Sequence, residues 1–146
     1  MNVGTLCERE VDRIDEGHTV RDAAERMLHR AVGSLVVVAD DRPAGILTDR
    51  DITTRVVARG LDPISTPVHE VMTRDPESVH EGASVDEALG VFRNRACRRL
   101  PVVSEDGRLV GILTLDDVLI HLSHQFRYIG DAVLKETPRE SLTGRA

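Results

Sequence analysis

With 146 residues, 40% of them hydrophobic and 30% charged, the chain fits one compact domain or two small units sharing a core. A formal net charge of −6, and aromatic residues limited to Phe92, Phe126 and Tyr128, argue against partners that recruit basic patches and stacking rings, namely nucleic acid and anionic membrane. Cys7 and Cys97 form neither a disulfide framework nor a zinc signature, and neither a signal peptide nor an apolar run long enough to span a bilayer is legible, so the expected setting is a reducing cytoplasm.

In chain order, a short strand is expected around Val11–Ile14, followed by a helix that opens at Thr19. Asp22 stands three residues on, the capping-box form, and Val20, Ala23, Ala24, Met27 and Ala31 make the apolar stripe. A strand Leu35–Val38, a polar turn Ala39–Arg42 and a second strand Ala44–Leu47 come next. A second helix starts near Asp49 and stops at Gly60, a natural C-terminal cap. The stretch 61–67 breaks periodicity and reads as a linker.

The same order then returns. A strand around Ser78–His80 precedes a helix that opens at Ser84 with Glu87, striped by Val85, Ala88, Leu89, Phe92 and Ala96. Strands Leu100–Val103 and Leu109–Leu113 flank the turn Ser104–Arg108, and a last helix begins near Leu115. Residues 19–54 align with 84–120 with one insertion, Gly107; Gly45-Ile46-Leu47-Thr48 recurs as Gly111-Ile112-Leu113-Thr114, and Asp51 as Asp117. The expected organisation is therefore a first repeat at 5–60, a second at 68–124, and a tail from 125 to 146 without clear pattern, mobile beyond Glu136. Neither repeat alone holds many large apolar residues, so their strand faces should pack together and leave two equivalent clefts.

Gly-Ile-Leu-Thr-x-x-Asp leaves a strand and enters a helix, so N–H groups at the helix start would point into a cleft. A Thr hydroxyl there can bond a phosphate or ribose oxygen, and the Asp can accept from vicinal ribose hydroxyls. Thr48/Asp51 and Thr114/Asp117 are equally well formed as capping boxes that need no ligand.

This pattern of helix, Leu-Pro-Val-Val-type strand and Gly-Ile-Leu-Thr-x-x-Asp, twice over and with Val71-Met72-Thr73 as lead-in, resembles the cystathionine-beta-synthase-type (CBS) domain, and the duplication resembles a Bateman module. The resemblance covers residues 5 to 124. It implies an α/β fold of two CBS repeats, each a small sheet with two helices, packed about a pseudo-twofold axis. It also implies a non-catalytic module that binds an adenine nucleotide or other adenosyl ligand, with AMP, ADP, ATP and S-adenosylmethionine as candidates and no required cofactor. By position, Thr48, Arg50 and Asp51 would serve one cleft and Thr114 and Asp117 the other, with Arg98 and Arg99 meeting phosphates. Val36 and Val37 on one copy, and Pro101 and Val102 on the other, would wall the adenine. A homodimer of modules is expected, signalling to a separate effector protein.

The clefts differ: Gly33-Ser34 stands where the second repeat has Arg98-Arg99, and Arg50 where it has Asp116. Acidic Asp12 and Asp15 beside a cleft would disfavour a triphosphate. Strand alternation would split Arg98 from Arg99, one inward and one solvated. Two alternatives stand beside ligand sensing. One is a scaffold whose capping boxes are only caps. The other is a metal or redox sensor built on His121-x-x-His124 or the cysteines, although a solvated helix face and a buried small residue account for these more simply. No base and orienting acid surround Ser34, Thr53 or Thr54, so no catalysis is assigned.

Overall fold

A computed structural model describes residues 1–136. Its elements run α1 (Val3–Leu6), β1 (Arg13–Asp15), α2 (Val20–Arg30), β2 (Ser34–Ala39), β3 (Arg42–Thr48) and α3 (Asp49–Asp51), the last continuing as π-helical turns through Ile52–Val57. A 3₁₀ turn (Val68–Glu70) leads to β4 (Thr73–Arg74), β5 (Val79–His80), α4 (Val85–Arg95), β6 (Arg99–Val103), β7 (Leu109–Thr114) and α5 (Leu115–Glu136).

The two helix starts read from sequence form as expected. Thr19 Oγ1 accepts from the Asp22 N–H while the Asp22 carboxylate accepts from the Thr19 N–H, and Ser84 and Glu87 repeat the exchange. The short strand expected at Val11–Ile14 lies slightly later, at Arg13–Asp15. Asp40 and Asp41, both with positive φ, close the β2–β3 hairpin. The first repeat's second helix ends at Val57 and is closed at Gly60, whose φ is 69°.

One sheet has the order β1-β2-β3-β4 and the other β5-β6-β7, each with a parallel first pair and an antiparallel hairpin. Each sheet buries one face under its own helices. Ile14, Val20, Ala23, Met27, Leu35, Val37, Leu47 and Val56 make the first core; Val79, Ala88, Phe92, Leu100, Val102, Leu113 and Val118 make the second. Where the repeats meet, Val36, Val38 and Leu109 form a third cluster, flanked by Val11 and Ile112.

The lead-in segments cross over. Val68, Val71 and Met72 open the second repeat in sequence yet complete the first core, while Val3 and Cys7 complete the second. β4 accordingly pairs with β3, and Glu8 bridges to Ile112 on β7. This exchange explains the glycine of the repeated motif. A Cβ on Gly45 would sit 2.8 Å from Met72 Cγ and from the Thr73 carbonyl oxygen; one on Gly111 would sit 2.6 Å from Cys7 Sγ and 3.0 Å from the Glu8 carbonyl oxygen. Only a glycine lets the exchanged strand lie so close.

The C-terminal end departs from expectation. Residues 125–136 continue α5, a single helix of 22 residues. The mobile tail expected beyond Glu136 lies outside the described residues.

Candidate functional site in the cleft between the repeats

A cleft of about 470 Å³ opens where the two sheets meet, lined by both repeats. The first repeat supplies residues 31–36 and Ile46; the second supplies Arg99, Ile112, Thr114 and Asp117; Glu8, Glu10 and Asp12 come from the segment entering β1. Its size is ordinary for a small-molecule site. Arg99 and Thr114 are register partners on β6 and β7, which brings the cation, the hydroxyl and the Asp117 carboxylate to one edge.

Both Thr/Asp pairs close as capping boxes. The Thr114 N–H donates to Asp117 Oδ2 at 2.9 Å and the Asp117 N–H donates to Thr114 Oγ1 at 3.0 Å; the Thr48/Asp51 distances are 3.0 and 3.1 Å. The second carboxylate oxygen distinguishes them. Asp51 Oδ1 lies 3.4 Å from Arg55 Nη2, an ion pair along one helical turn. Asp117 has no cationic partner among the described residues, because His121 stands where Arg55 does in the repeat. One acceptor oxygen thus remains on the cleft side of the second repeat's helix start.

Alternation divides the remaining candidates. Arg98 and Arg99 point apart: Arg98 pairs with Asp116 at 3.0 Å on the surface, and Arg99 lines the cleft. Val36 faces the cleft. Val37 and Val102, expected as walls, are instead fully buried in the first and second cores, one residue out of phase with the cleft-facing set. Pro101, the counterpart of Val36, is buried opposite Ile112. Arg50 is exposed on α3, its N–H donating to Asp49 Oδ1 and its carbonyl accepting from the Thr54 hydroxyl. Of the two expected acids, Asp12 lines the cleft and is paired with Arg30 at 2.8 Å; Asp15 instead accepts from the Gly17 N–H in a turn.

Sequence reading missed Glu8 and Glu10, since only the exchanged lead-in carries them to this edge. The lining therefore holds Glu8, Glu10, Asp12 and Asp117 against Arg99, a balance that favours a neutral, cationic or singly phosphorylated ligand over a polyphosphate.

The cysteines are poorly placed for redox sensing. Burial pushes the thiols of both Cys7 and Cys97 up, which keeps them protonated. Among the described residues no group of three or more His, Cys, Asp or Glu side chains is arranged to hold a metal, and no helix is long and apolar enough to cross a membrane.

Comparison with known proteins agrees with this architecture. The family model of the CBS domain matches twice, over residues 3–58 and 68–124. Hypoxic response protein 1 of Mycobacterium tuberculosis is 39% identical over 123 residues, spanning 84% of this chain and 81% of that protein. Protein MK0525 of Methanopyrus kandleri is 33% identical over 120 residues, but the chain spans only 61% of its length. The crystal structure of Hypoxic Response Protein I with two coordinated zinc ions superimposes with a TM-score of 0.75 at 36% identity, covering 83% of this chain and 98% of that one. The CBS domain protein PAE2072 from Pyrobaculum aerophilum, complexed with AMP, does so with a TM-score of 0.71 at 28% identity, covering 85% and 99%.

Proposed function

The chain belongs to the CBS domain family, its two repeats packed as one Bateman module, and we propose that it is a non-catalytic regulatory module that senses an adenosyl ligand. The observation that carries this reading is the cleft built by both repeats, where Asp117 keeps one carboxylate oxygen unpaired beside Thr114 and Arg99. The Asp accepts from the ribose diol, the Thr and Arg meet the 5′ end, and the base lies against Val36, Ile46 and Ile112. The AMP complex of the related PAE2072 protein supports this ligand class. AMP and S-adenosylmethionine fit the acidic lining better than ADP or ATP do.

A ligand that touches both repeats stabilises whichever arrangement offers the better fit, and only that difference in affinity transmits a signal. Working as a cytoplasmic homodimer, the module passes the signal to a separate effector protein; nucleic acid and membrane are not its partners. Thr48, Arg50 and Asp51 serve the pseudo-equivalent position, which the Asp51–Arg55 pair leaves with the weaker claim.

The test is thermal stabilisation by adenosine, AMP, ADP, ATP and S-adenosylmethionine, with zinc as a separate arm. Ligand at a hundredfold above its Kd adds about 2.7 kcal/mol to stability. The expected result is a shift with AMP or S-adenosylmethionine that exceeds the shift with ATP and is lost in Asp117→Ala. A flat response to every nucleoside at millimolar concentration rejects the reading and leaves the scaffold alternative. A response to zinc alone moves the assignment to a metal sensor.

A further inference from the structure

The segment entering β1 alternates in charge, Glu8-Arg9-Glu10-Val11-Asp12-Arg13, and an extended chain turns successive side chains to opposite faces. Glu8, Glu10 and Asp12 line the cleft described above. Arg9, Val11 and Arg13 line a separate groove of about 480 Å³, whose wall is completed by Arg30 of α2 and by Leu109 and Val110 of β7; Glu10 borders both. A hollow of about 290 Å³ adjoins the groove, sharing Val11, Arg13 and Arg30 and adding Arg26. Four arginines thus gather on a chain whose net charge is −6, with Glu10 and Asp12 as the acids of the lining.

Internal partners leave much of this charge to spare. Arg9 meets Glu81 at 3.1 Å, Arg30 meets Asp12 at 2.8 Å, and Arg26 donates to the Arg13 carbonyl. The Arg13 guanidinium itself has no acceptor among the described residues. Each guanidinium carries several N–H donors in a fork that matches a carboxylate. From this arrangement we infer that the groove docks an acidic segment of the effector protein, its carboxylates pairing with Arg9, Arg13, Arg26 and Arg30. The inference rests on the sensing role proposed above and gives its output a place. Two adjoining hollows give room for an extended chain, where a compact anion needs one. Val11, Leu109 and Val110 are the only apolar residues of the lining, which favours carboxylates over an apolar anchor. The same segment walls the cleft and the groove, and the Asp12–Arg30 pair joins them. A ligand that moves Glu10 or Asp12 therefore acts on the docked segment, and each changes the other's affinity by the same factor.

The experiment titrates the full chain into a fluorescein-labelled decaglutamate peptide at low salt, first without nucleotide, and follows the anisotropy. Arg13→Glu reverses a charge in the groove without breaking an ion pair; Arg93→Glu makes the same change on the exposed side of α4. The expected result is a Kd that rises about tenfold in the first variant and less than about twofold in the second. Arg13→Gln, which only removes the charge, is expected to weaken binding about threefold and answers the question if the reversal fails to fold. Saturating AMP or S-adenosylmethionine is expected to shift the peptide's Kd about fivefold or more. Equal weakening in both charge reversals, or weakening in neither, overturns the groove. Binding of tripolyphosphate that needs Arg13, without binding of the peptide, makes the groove a small-anion site and also overturns the inference. A Kd that ignores a stabilising ligand removes the coupling and spares the docking. A peptide bound through Arg13, on a chain that no adenosyl ligand stabilises, rejects the sensing role and spares the groove.

Discussion

Two helix starts, at Thr48 and Thr114, repeat the same cap and then diverge. After Asp51, Thr53 and Thr54 donate their hydroxyls back to the carbonyls of Asp49 and Arg50, the turn widens to π geometry, and Arg55 reaches back to hold Asp51. Asp117 lies in the first turn of a regular helix of 22 residues, and among the described residues no cation holds its carboxylate. A duplicated segment therefore keeps the backbone function at both sites and the free acceptor at one. Divergence fell on the helical turn behind the motif, with the motif itself intact.

The strongest way to break this comparison is to strike one repeat's core and ask whether the other notices. Leu35→Ala and Leu100→Ala remove fully buried side chains from the first and second cores and should each cost about 2–5 kcal/mol. Because the lead-ins are exchanged, Val68→Ala should destabilise the first repeat, although in sequence it opens the second. Hydrogen exchange resolved by segment reads this directly. If Val68→Ala loosens α4 and β6 while α2 and β2 keep their protection, the exchange of lead-ins is wrong.

Next in size, Gly45→Ala and Gly111→Ala push a methyl group against a backbone oxygen of the exchanged strand, and each should cost about 1–3 kcal/mol in chemical denaturation. Neutral behaviour at either glycine would mean that β4 or the Glu8 bridge lies further away.

Sharper for function is the pair Asp51→Ala and Asp117→Ala. Both lose the carboxylate that accepts from the capping threonine's backbone N–H, worth about 1 kcal/mol of stability, and Asp51→Ala loses the Arg55 contact besides. Ligand affinity should separate them in the opposite sense, falling about 10–100-fold for Asp117→Ala and little for Asp51→Ala by titration calorimetry. Equal losses would make the Thr48/Asp51 and Thr114/Asp117 positions equivalent in binding.

The smallest effect is set by pH. Hydrogen bonds from the Thr19 backbone N–H hold Asp22 below its usual 3.8, and those from Ser84 hold Glu87 below its usual 4.5. A carboxylate whose folded pKa is depressed contributes fully above its unfolded value and loses that contribution as pH falls through the folded one. A modest decline in melting temperature is thus expected as pH drops below about 4.5, as both carboxylates become protonated. Asp22→Asn with Glu87→Gln should flatten that decline.

Local rules made much of this molecule readable before any fold was known. Thr19/Asp22 and Ser84/Glu87 announced helix starts because a capping box is closed within four residues. Arg98 and Arg99 were separable in advance because neighbours on a strand face opposite ways. That same alternation, left unapplied to Val36-Val37 and Pro101-Val102, placed two core valines in the ligand site. Glu8 and Glu10 were illegible for a different reason. Their place depends on Glu8 bridging Ile112, a contact that no local pattern encodes. The end of α5 could have been read from the four-three spacing of Leu115, Leu119, Leu122, Phe126 and Ile129, but a search for a second copy of the first repeat stops where the first repeat's shorter helix does.

The exchanged lead-ins also set an order of events during synthesis. Val3 and Cys7 leave the ribosome well before the strand they close against, Leu109–Thr114, which is made more than a hundred residues later. The first repeat can settle as soon as Val68, Val71 and Met72 emerge, while the opening residues of the chain wait with their apolar side chains uncovered. Contacts between such distant parts of a chain close late and slowly. Between the emergence of Arg74 and that of Leu109, the nascent chain therefore holds one finished sheet beside an uncovered apolar end.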